Sequence, residues 1–535
     1  MPRMTGGEAL AKSLYLEGVR VIFGLPGVQL YHALDGLAKE PGIRFITTRH
    51  EQATAYMADG YARAGGEGVA TCLMVPGPGL LNASAAIGTA YSASSPVMVV
   101  CGQIERDFIG VNRGMLHEVN DQIDAIKPIT KFARRALDPK EIPAMVHEAA
   151  YHLKNGRPRP VEIEVPPETL AEVADIELIE PEASQQVTAS AEQIATAAQM
   201  LADAANPLIW VGGGAISSNA SQALLKVAEH LQAPVVATPE GKGAISDKHY
   251  LSMGGLFMRN DVIGQASFGH DVILAVGTRL ATPQLLDGQK VIQIDIDPEE
   301  LGRNYSDTYG INADARQTME SIFTALSEEM PARASRRAEI EEAKARRAEA
   351  AVTVEPQASL LKAVRNALPD DGILISGMTQ LGYYSRGQFP VYEPRTYLTS
   401  SYFGNLGFAY PTALGAKVAQ PDKAVVALSG DGGFLFNSQE LSTAVQHGIN
   451  AVVIVFNDNA YGNVLRDQVT RFEGRAYGAE LHNPDFVKLA EAYGARGVRA
   501  HGATELEAAL NEALAVDAPT LIEVPVDPMP YPYTL

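Results

Sequence analysis

The sequence has few of the residues that mark secreted, membrane-bound or nucleic-acid-binding proteins. Its 535 residues include only two cysteines, Cys72 and Cys101, which excludes a disulfide framework and indicates a reducing compartment. Basic residues are also scarce, 43 against 63 acidic ones, so the formal net charge is −20. This balance disfavours nucleic acid and anionic membrane surfaces as partners, because both attract a basic face.

Long apolar runs are absent as well. No run reaches the roughly 20 residues that a membrane-spanning helix needs. Residues 1–7 contain no apolar stretch after Arg3, so we expect no signal peptide and a cytoplasmic location. The hydrophobic fraction of 46% is nevertheless large enough for full cores, and the length exceeds that of one ordinary domain.

Short apolar runs alternate with helical patterns along the chain, which predicts parallel sheets with helices on both faces. The expected fold class is therefore α/β, with three doubly wound parallel-sheet domains. We place these domains at residues 1–175, 190–330 and 356–535. An acidic segment at 171–186 and a highly charged helical stretch at 332–351 are predicted to connect them.

The strongest functional motif lies in the third domain, where two predicted strands end in oxygen ligands. Gly430-Asp431-Gly432 follows the apolar run 424–428, and Asn457-Asp458-Asn459 follows a second run at 451–456. Because neighbouring parallel strands end at the same edge of a sheet, we expect both clusters to face one point. Mg²⁺ prefers oxygen ligands and commonly takes one or two protein carboxylates together with phosphate oxygens.

The glycines of the motif have a predicted role of their own. Gly430, Gly432 and Gly433 would let the backbone turn tightly and approach a phosphate closely. Together with the oxygen ligands, they predict a site for a metal bound to a diphosphate.

This combination resembles the thiamine diphosphate (ThDP) enzymes of the pyruvate decarboxylase and acetolactate synthase type, and the resemblance extends over nearly the whole chain. It implies an aminopyrimidine-binding (PYR) domain, a central Rossmann-like domain and a diphosphate-binding (PP) domain. It also implies ThDP and Mg²⁺ as cofactors, with Asp431, Asp458 and the carbonyl of Ala460 as metal ligands. The family usually has Asn where this chain has Asp458. The extra negative charge should weaken diphosphate binding unless a nearby cation or donor offsets it.

The first domain carries an independent part of the resemblance. Arg49-His50-Glu51-Gln52-Ala53 matches the family pattern whose Glu binds N1′ of the aminopyrimidine ring, so Glu51 is the predicted catalytic carboxyl. Pro26 and Gly27, after a predicted strand, are assigned to the cofactor site. His117 lies where acetolactate synthase and benzaldehyde lyase carry a glutamine facing the substrate. A histidine there could donate to a substrate carboxylate or relay a proton, and a purely structural histidine is the alternative.

In the third domain the resemblance assigns more residues to the cofactor. Leu406, within Gly404-Asn405-Leu406-Gly407, matches the large aliphatic side chain that bends ThDP, and it is counted with Glu51 and His117 as catalytic. The other predicted cofactor contacts in this domain are Met378, Thr379, Gln380, Gly404, Gly430, Asp431, Gly432, Gly433, Asp458, Ala460, Tyr461 and Gly462.

The resemblance predicts the reaction class better than the substrate. It implies decarboxylation of a 2-oxo acid, carboligation, or both, in a chain of acetolactate-synthase-like form. A lysine and a tryptophan of the biosynthetic synthase are replaced here by Pro167 and Asp467. A 2-hydroxyacyl-CoA lyase, a benzaldehyde lyase-like C–C cleavage and a catalytically silent ThDP-binding protein are the alternatives.

The family also implies an assembly. Its cofactor lies between the PYR domain of one subunit and the PP domain of another, so we expect a homodimer or homotetramer with active sites at the interface. Central domains of the family hold FAD in some members and nothing in others. Gly212-Gly213-Gly214 lacks the full dinucleotide pattern, whereas Gly277-Thr278-Arg279 resembles a segment near FAD. FAD is therefore possible, and its absence is favoured.

Overall fold

The alternating apolar runs fold into three six-stranded parallel sheets flanked by helices, which confirms the predicted α/β class. The computed structural model describes residues 2–255, 269–281, 285, 288–350 and 354–531. Within these ranges no helix combines the length and the apolar character needed to cross a membrane.

The first sheet lies within residues 21–165. The strands of this part of the chain are β1 (Arg3–Thr5), β2 (Val21–Gly24), β3 (Arg44–Thr47), β4 (Ala70–Met74), β5 (Val97–Gly102), β6 (Phe132–Arg135), β7 (Val161–Val165) and β8 (Val173–Asp175). Its helices are α1 (Gly6–Leu16), α2 (Tyr31–Ala38), α3 (Glu51–Arg63), α4 (Pro78–Ser92), α5 (Gln122–Ile126), α6 (Ile142–Lys154) and α7 (Pro167–Ala171). The sheet order is β3-β2-β4-β5-β7-β6, and β1 pairs with β8 in an antiparallel ribbon. The segment predicted as a linker thus begins as an ordered strand, because β1 supplies hydrogen-bond partners for β8.

The second sheet lies within residues 207–312. Its strands are β9 (Pro207–Val211), β10 (Val235–Ala237), β11 (Ser252–Gly255), β12 (Val272–Val276), β13 (Lys290–Asp295) and β14 (Thr308–Asn312), in the order β11-β10-β9-β12-β13-β14. Its helices are α8 (Ala191–Asp203), α9 (Gly213–Ser217), α10 (Ser221–Leu231) and α11 (Ala315–Glu329). The charged connector forms α12 (Arg337–Ala350).

The third sheet lies within residues 373–525. Its strands are β15 (Ile373–Ser376), β16 (Tyr397–Thr399), β17 (Val425–Gly430), β18 (Val452–Asn457), β19 (Arg496–Arg499) and β20 (Thr520–Pro525), in the order β16-β15-β17-β18-β20-β19. Its helices are α13 (Gln357–Ala367), α14 (Gln380–Gln388), α15 (Ala409–Ala419), α16 (Asp431–Phe434), α17 (Glu440–His447), α18 (Gly462–Arg471), α19 (Phe486–Ala492) and α20 (Gly502–Ala515). The doubled oxygen-ligand motif therefore occupies the ends of β17 and β18, two neighbours in this sheet.

The first and third sheets share one hydrophobic core, in which α3 packs against α15. The contact is close enough to require glycine on both helices. A Cβ on Gly60 would lie 2.1 Å from the carbonyl oxygen of Thr412, and a Cβ on Gly415 would lie 1.9 Å from that of Met57. Absence of these side chains lets the two backbones touch, which fixes the first sheet against the third.

A buried arginine connects all three sheets. Arg63, at the end of α3, pairs with Asp59 at 3.2 Å and with Glu240 of the second sheet's domain at 2.8 Å. Its Nη1 also donates to the carbonyl oxygen of Thr399 in β16 at 2.7 Å. Removing one partner of such a buried network leaves an uncompensated charge, so these contacts make the domain arrangement specific.

Both cysteines are free and buried, as the sequence predicted. Burial raises the pKa of the Cys72 thiol to about 12 and raises the pKa of Cys101 well above its ordinary value. They act as small core side chains of the first sheet.

Candidate active site

The ends of β17 and β18 bring the two oxygen-ligand clusters together. The strands pair in parallel, with Gly430 beside Phe456, so Asp431 and Asp458 leave the sheet at the same edge. Asn483 ties the two strand ends to each other: its Nδ2 donates to Asp431 Oδ2 at 2.6 Å and to Asn457 Oδ1 at 2.9 Å. The predicted meeting of the two clusters is thus what the fold produces.

This edge of the sheet brings together the carboxylates of Asp431 and Asp458, and their surroundings disfavour the charged forms. Burial raises the pKa of Asp431, and burial together with the charge of Asp431 raises the pKa of Asp458 to about 6. A cation between them would reverse both effects. Among the described residues no cluster of three or more His, Cys, Asp or Glu side chains could hold a metal. The remaining ligands could be neutral oxygens, such as the backbone carbonyl of Ala460, or oxygens of a bound ligand, which suits Mg²⁺.

The motif glycines allow close packing, and the chain passes directly from β17 into α16 without a left-handed glycine. Gly430, Gly432 and Gly433 are not among the residues with positive φ, because Asp431 starts the short helix α16 directly. A Cβ on Gly432 would instead lie 2.6 Å from the Tyr461 ring. Gly462 is similarly confined, since its Cβ would lie 2.1 Å from Asp458 Oδ2.

At this edge, a buried donor has no hydrogen-bond partner within the described part of the chain. Arg466 Nη1 donates to Gln380 Oε1 at 2.7 Å, and since a guanidinium can only donate, this contact fixes the orientation of the amide. Gln380 Nε2 is then left buried without a hydrogen-bond partner among the described residues. Thr379, the preceding residue, lies beside Gly430, with Oγ1 3.4 Å from the position of a Cβ there. An orphaned donor beside the glycine motif fits an anionic ligand such as a diphosphate.

The loop Gly404–Gly407, which contains Leu406, belongs to the third domain but is hydrogen-bonded to the first domain. Gly404 and Gly407 have φ of +65° and +82°, which glycine alone adopts freely. Between them, Asn405 accepts from Thr89 Oγ1 at 2.8 Å and donates to the carbonyl of Ala85 in α4. Leu406 Cδ2 consequently lies 3.6 Å from the Cβ position of Gly433, over the glycine motif. Met378 also reaches this loop, since its Cε lies 3.4 Å from the Cβ position of Gly404.

Glu51 starts α3 and is half-buried in the single chain. The preceding His50 caps the helix, with Nδ1 accepting from the Gln52 amide at 3.1 Å. Asn82 Nδ2 donates to Glu51 Oε2 at 3.0 Å, and Gly79 lies beside Oε1. The carboxyl is thus oriented by the start of α4.

His117 belongs to the same surface as Glu51. Its carbonyl oxygen lies 2.2 Å from the Cβ position of Gly77, which begins the loop into α4. Pro26 and Gly27 adjoin this loop, because a Cβ on Gly27 would lie 2.2 Å from Val75 Cγ1. The ring is fixed through Nδ1, which lies 3.1 Å from Gln29 Oε1.

The structure thus gathers the predicted residues into two groups. The PYR group contains Pro26, Gly27, Glu51 and His117, and the PP group contains all the others. None of the described hydrogen bonds or ion pairs joins Glu51 or His117 directly to Asp431 or Asp458. Gln52, next to Glu51, is linked to the third domain through Asn437, whose Nδ2 also donates to the carbonyl of Gly407.

The chain is similar to known proteins over nearly its whole length. Three models of thiamine pyrophosphate enzymes match: the N-terminal TPP binding domain at residues 4–125, the central domain at 194–322 and the C-terminal TPP binding domain at 377–524. The chain is 34% identical to a probable 2-ketoarginine decarboxylase, AruI, of Pseudomonas aeruginosa over 97% of this chain and 94% of that protein. It is 34% identical to a probable acetolactate synthase large subunit of Methanocaldococcus jannaschii, over 98% of this chain and 92% of that protein. It is 33% identical to the acetolactate synthase isozyme 3 large subunit of Escherichia coli, over 96% and 93%.

The chain belongs to the thiamine pyrophosphate enzyme family.

As a thiamine pyrophosphate enzyme, the chain depends on the cofactor that the sequence predicted, since thiamine pyrophosphate and ThDP are the same compound. The relatives' names support the predicted reaction class, ThDP-dependent decarboxylation or carboligation. They give no support to the lyase alternatives.

Several residues at the candidate site of this thiamine pyrophosphate enzyme were not predicted from the sequence. Asn483 donates to Asp431, Asn82 donates to Glu51, Arg466 orients Gln380, and Gln29 contacts His117. Each acts on a residue distant in sequence or on another element, so no local spacing signals it. The sequence contained one indication of such residues: the extra negative charge of Asp458 predicted a nearby cation or hydrogen-bond donor.

The glycine triplet of the central domain is explained by packing. A Cβ on Gly212 would lie 2.3 Å from the carbonyl oxygen of Gly277, and a Cβ on Gly214 would lie 2.7 Å from Gly277 Cα. Arg279, in the segment that resembles a region near FAD, stacks on the ring of Tyr402 at 4.4 Å. These residues are therefore engaged by neighbouring parts of the protein.

Proposed function

We propose that this protein is a ThDP- and Mg²⁺-dependent enzyme that decarboxylates a 2-oxo acid, ligates the resulting acyl unit to a carbonyl acceptor, or does both. The observation that carries the proposal is the edge formed by β17 and β18. It combines the buried carboxylate of Asp431, the half-buried carboxylate of Asp458, closely packed glycines and the donor Gln380 Nε2, which has no partner among the described residues. A metal-bound diphosphate satisfies all of these features at once.

The PP group holds the cofactor in this proposal. Asp431, Asp458 and the Ala460 carbonyl would hold Mg²⁺, a cation that commonly takes further ligands from phosphate oxygens. Gln380 Nε2 and the backbone beside Gly432 would donate to phosphate, and Leu406 would contact the cofactor. The raised pKa values of the two aspartates support this role. Burial raises the pKa of both, the charge of Asp431 adds to the rise at Asp458, and a divalent cation would offset both effects.

The PYR group controls protons. ThDP, when bound, supplies a nucleophilic carbon and an electron sink for cleavage of a bond next to a carbonyl. Glu51 presents a proton to the aminopyrimidine ring, and Asn82 keeps its carboxyl in place through the 3.0 Å hydrogen bond. His117 faces the substrate from the adjacent loop. FAD has no part in the proposal, since protein contacts account for the glycine triplet and Arg279.

A homodimer or homotetramer completes the site. The PYR group of one subunit faces the PP group of another, as in the family that the sequence resembles. Large apolar side chains exposed near both groups support such an interface: Leu81, Leu116, Tyr402, Phe436 and Val464.

Product analysis by proton NMR tests the proposal. The purified protein with ThDP and Mg²⁺ would receive pyruvate, benzoylformate, branched 2-oxo acids and 2-ketoarginine, each with and without an aldehyde. The last substrate is included because one relative is named for it. Free aldehyde or a hydroxyketone product from any of these acids supports the proposal, with acetolactate from pyruvate marking synthase activity. No product from any 2-oxo acid, with ThDP bound, would refute it.

A further inference from the structure

Gln29 makes two contacts that together determine the orientation of its amide. This side chain is 4% exposed and lies in the turn after β2. One amide atom lies 3.2 Å from the carbonyl oxygen of Leu116, and the other lies 3.1 Å from His117 Nδ1. A carbonyl oxygen can only accept, so the atom facing Leu116 is the donor Nε2. The atom facing His117 is therefore the acceptor Oε1.

This orientation determines which ring nitrogen of His117 carries the proton. Because Gln29 Oε1 can only accept, Nδ1 must be the donor of the 3.1 Å hydrogen bond. A neutral imidazole has one N–H, so Nε2 then carries a lone pair. Nε2 has no hydrogen bond to any residue in the described part of the chain, and it points away from Gln29 across the ring.

The backbone that presents His117 is held in a strained conformation. His117 has a φ of +72°, in the left-handed region that non-glycine residues rarely adopt. The turn before it is fixed by Glu118, whose carboxylate accepts from the amides of Gly114 at 2.6 Å and Met115 at 2.8 Å. Strain that surrounding contacts maintain is a feature of functional sites. Here it keeps the imidazole beside the loop that positions Glu51.

We propose that Gln29 is a positioning residue that fixes His117 in its Nδ1–H form, so that Nε2 is a hydrogen-bond and proton acceptor toward the substrate. The role toward substrate rests on the proposed function. The consequence is chemical: neutral His117 accepts from a substrate hydroxyl, and it can donate to a substrate carboxylate only after protonation. Gln29 thereby selects between the two roles that the sequence left open for this histidine.

The tautomer can be measured without any substrate. The full-length holoenzyme would be prepared with ¹⁵N-labelled histidine and its ring nitrogens recorded by solid-state NMR at pH 8. Among the 11 histidines, the His117 signals are those missing from the His117→Gln spectrum. We expect Nδ1 to be of the protonated type and Nε2 of the unprotonated type. The opposite assignment in the wild-type protein would overturn the inference.

Gln29→Met supplies the matched perturbation, since it keeps the length of the side chain and removes both polar atoms. We expect the His117 signals to change toward the other tautomer. His147 is the internal control: its Nδ1 lies 2.7 Å from Glu17 Oε1, remote from Gln29 in the hydrogen-bond network, so its signals should stay. Unchanged His117 signals in Gln29→Met would count against the proposal.

Kinetics separate positioning from a merely structural role. With any 2-oxo acid that the enzyme turns over, Gln29→Met should lower kcat/KM by about tenfold, within the effect of a general acid–base group. In a His117→Gln background, Gln29→Met should cause no further decrease in kcat/KM, because its effect is exerted through His117. Additive losses would refute the mechanism. Absence of turnover in the wild-type protein would refute the proposed function instead, while the NMR result would still decide the tautomer.

Discussion

Replacing Glu440 by glutamine should make the protein's stability decline less between pH 5 and pH 8. Glu440 starts α17 in the third domain and is fully buried. Both of its carboxyl oxygens accept from the amide of Arg49 at 3.2 Å, just before Glu51, and Oε2 also accepts from Thr443 at 2.6 Å. Burial outweighs these hydrogen bonds and raises the pKa of Glu440 from 4.5 to about 7.

The magnitude follows from the difference between folded and unfolded states. A carboxyl with a raised folded pKa favours the folded state while protonated, and this contribution is lost as the pH rises through the folded value. A rise from 4.5 to about 7 corresponds to a total of about 3 kcal/mol. About 2.5 kcal/mol of this loss falls between pH 5 and pH 8. Glu440→Gln cannot ionise and should lack that part of the decline.

The assay is urea unfolding of wild type and Glu440→Gln at both pH values, at one protein concentration. Circular dichroism is the appropriate signal, because the single tryptophan, Trp210, reports only on the second sheet. The quantity compared between the two proteins is the change in unfolding free energy from pH 5 to pH 8. Absolute stabilities are not compared, because the variant also loses a charged hydrogen-bond acceptor. Glu328→Gln, at an exposed position of α11, is the control and should behave as wild type. An equal decline in wild type and Glu440→Gln would refute the reasoning.

Four further predictions concern the site. Glu51→Gln should lower turnover by about 10²–10⁴-fold while calorimetry still detects ThDP binding, and near-normal turnover would contradict the assignment. Asp458→Asn should keep Mg²⁺ binding and keep or tighten ThDP binding, so complete loss of ThDP binding is the adverse result. Arg466→Met should weaken ThDP binding by about tenfold because Gln380 loses its orienting donor, and unchanged affinity would disprove this. Co-expressed Glu51→Gln and Asp431→Ala chains, each inactive alone, should regain activity in mixed dimers, whereas sites built within one chain would stay inactive.

The sequence was sufficient to predict the sheets and the position of the metal motif. The strands before Asp431 and Asp458 are largely apolar, which is typical of strands buried on both faces, and each is followed directly by an aspartate. Parallel pairing then forces the two aspartates to the same edge, whatever the rest of the fold does. This part of the prediction needed only local pattern and the geometry of a parallel sheet.

Contacts between distant segments could not be predicted in this way. Asn483 contacts Asp431 because the chain returns to this edge of the sheet after α18. Position 432 requires glycine because the Tyr461 ring, on another loop, occupies the space of a side chain. Strand β7 is a sharper case: Glu162 and Glu164 alternate with apolar residues, as on a solvent-exposed face, yet both are buried. Burial raises the pKa of both carboxyls, so the first sheet accommodates residues that a pattern alone would assign to solvent.

The touching backbones of α3 and α15 have a consequence for variants far from the substrate. Gly60 lies nine residues after Glu51 on one rigid helix, a separation of about 14 Å. A methyl group at Gly60 or Gly415 would push the helices apart at that point and tilt the far end of α3, which carries the carboxyl. The helix thus behaves as a lever with its pivot in the shared core. Searches for altered activity in this protein should therefore include small residues that never meet the substrate.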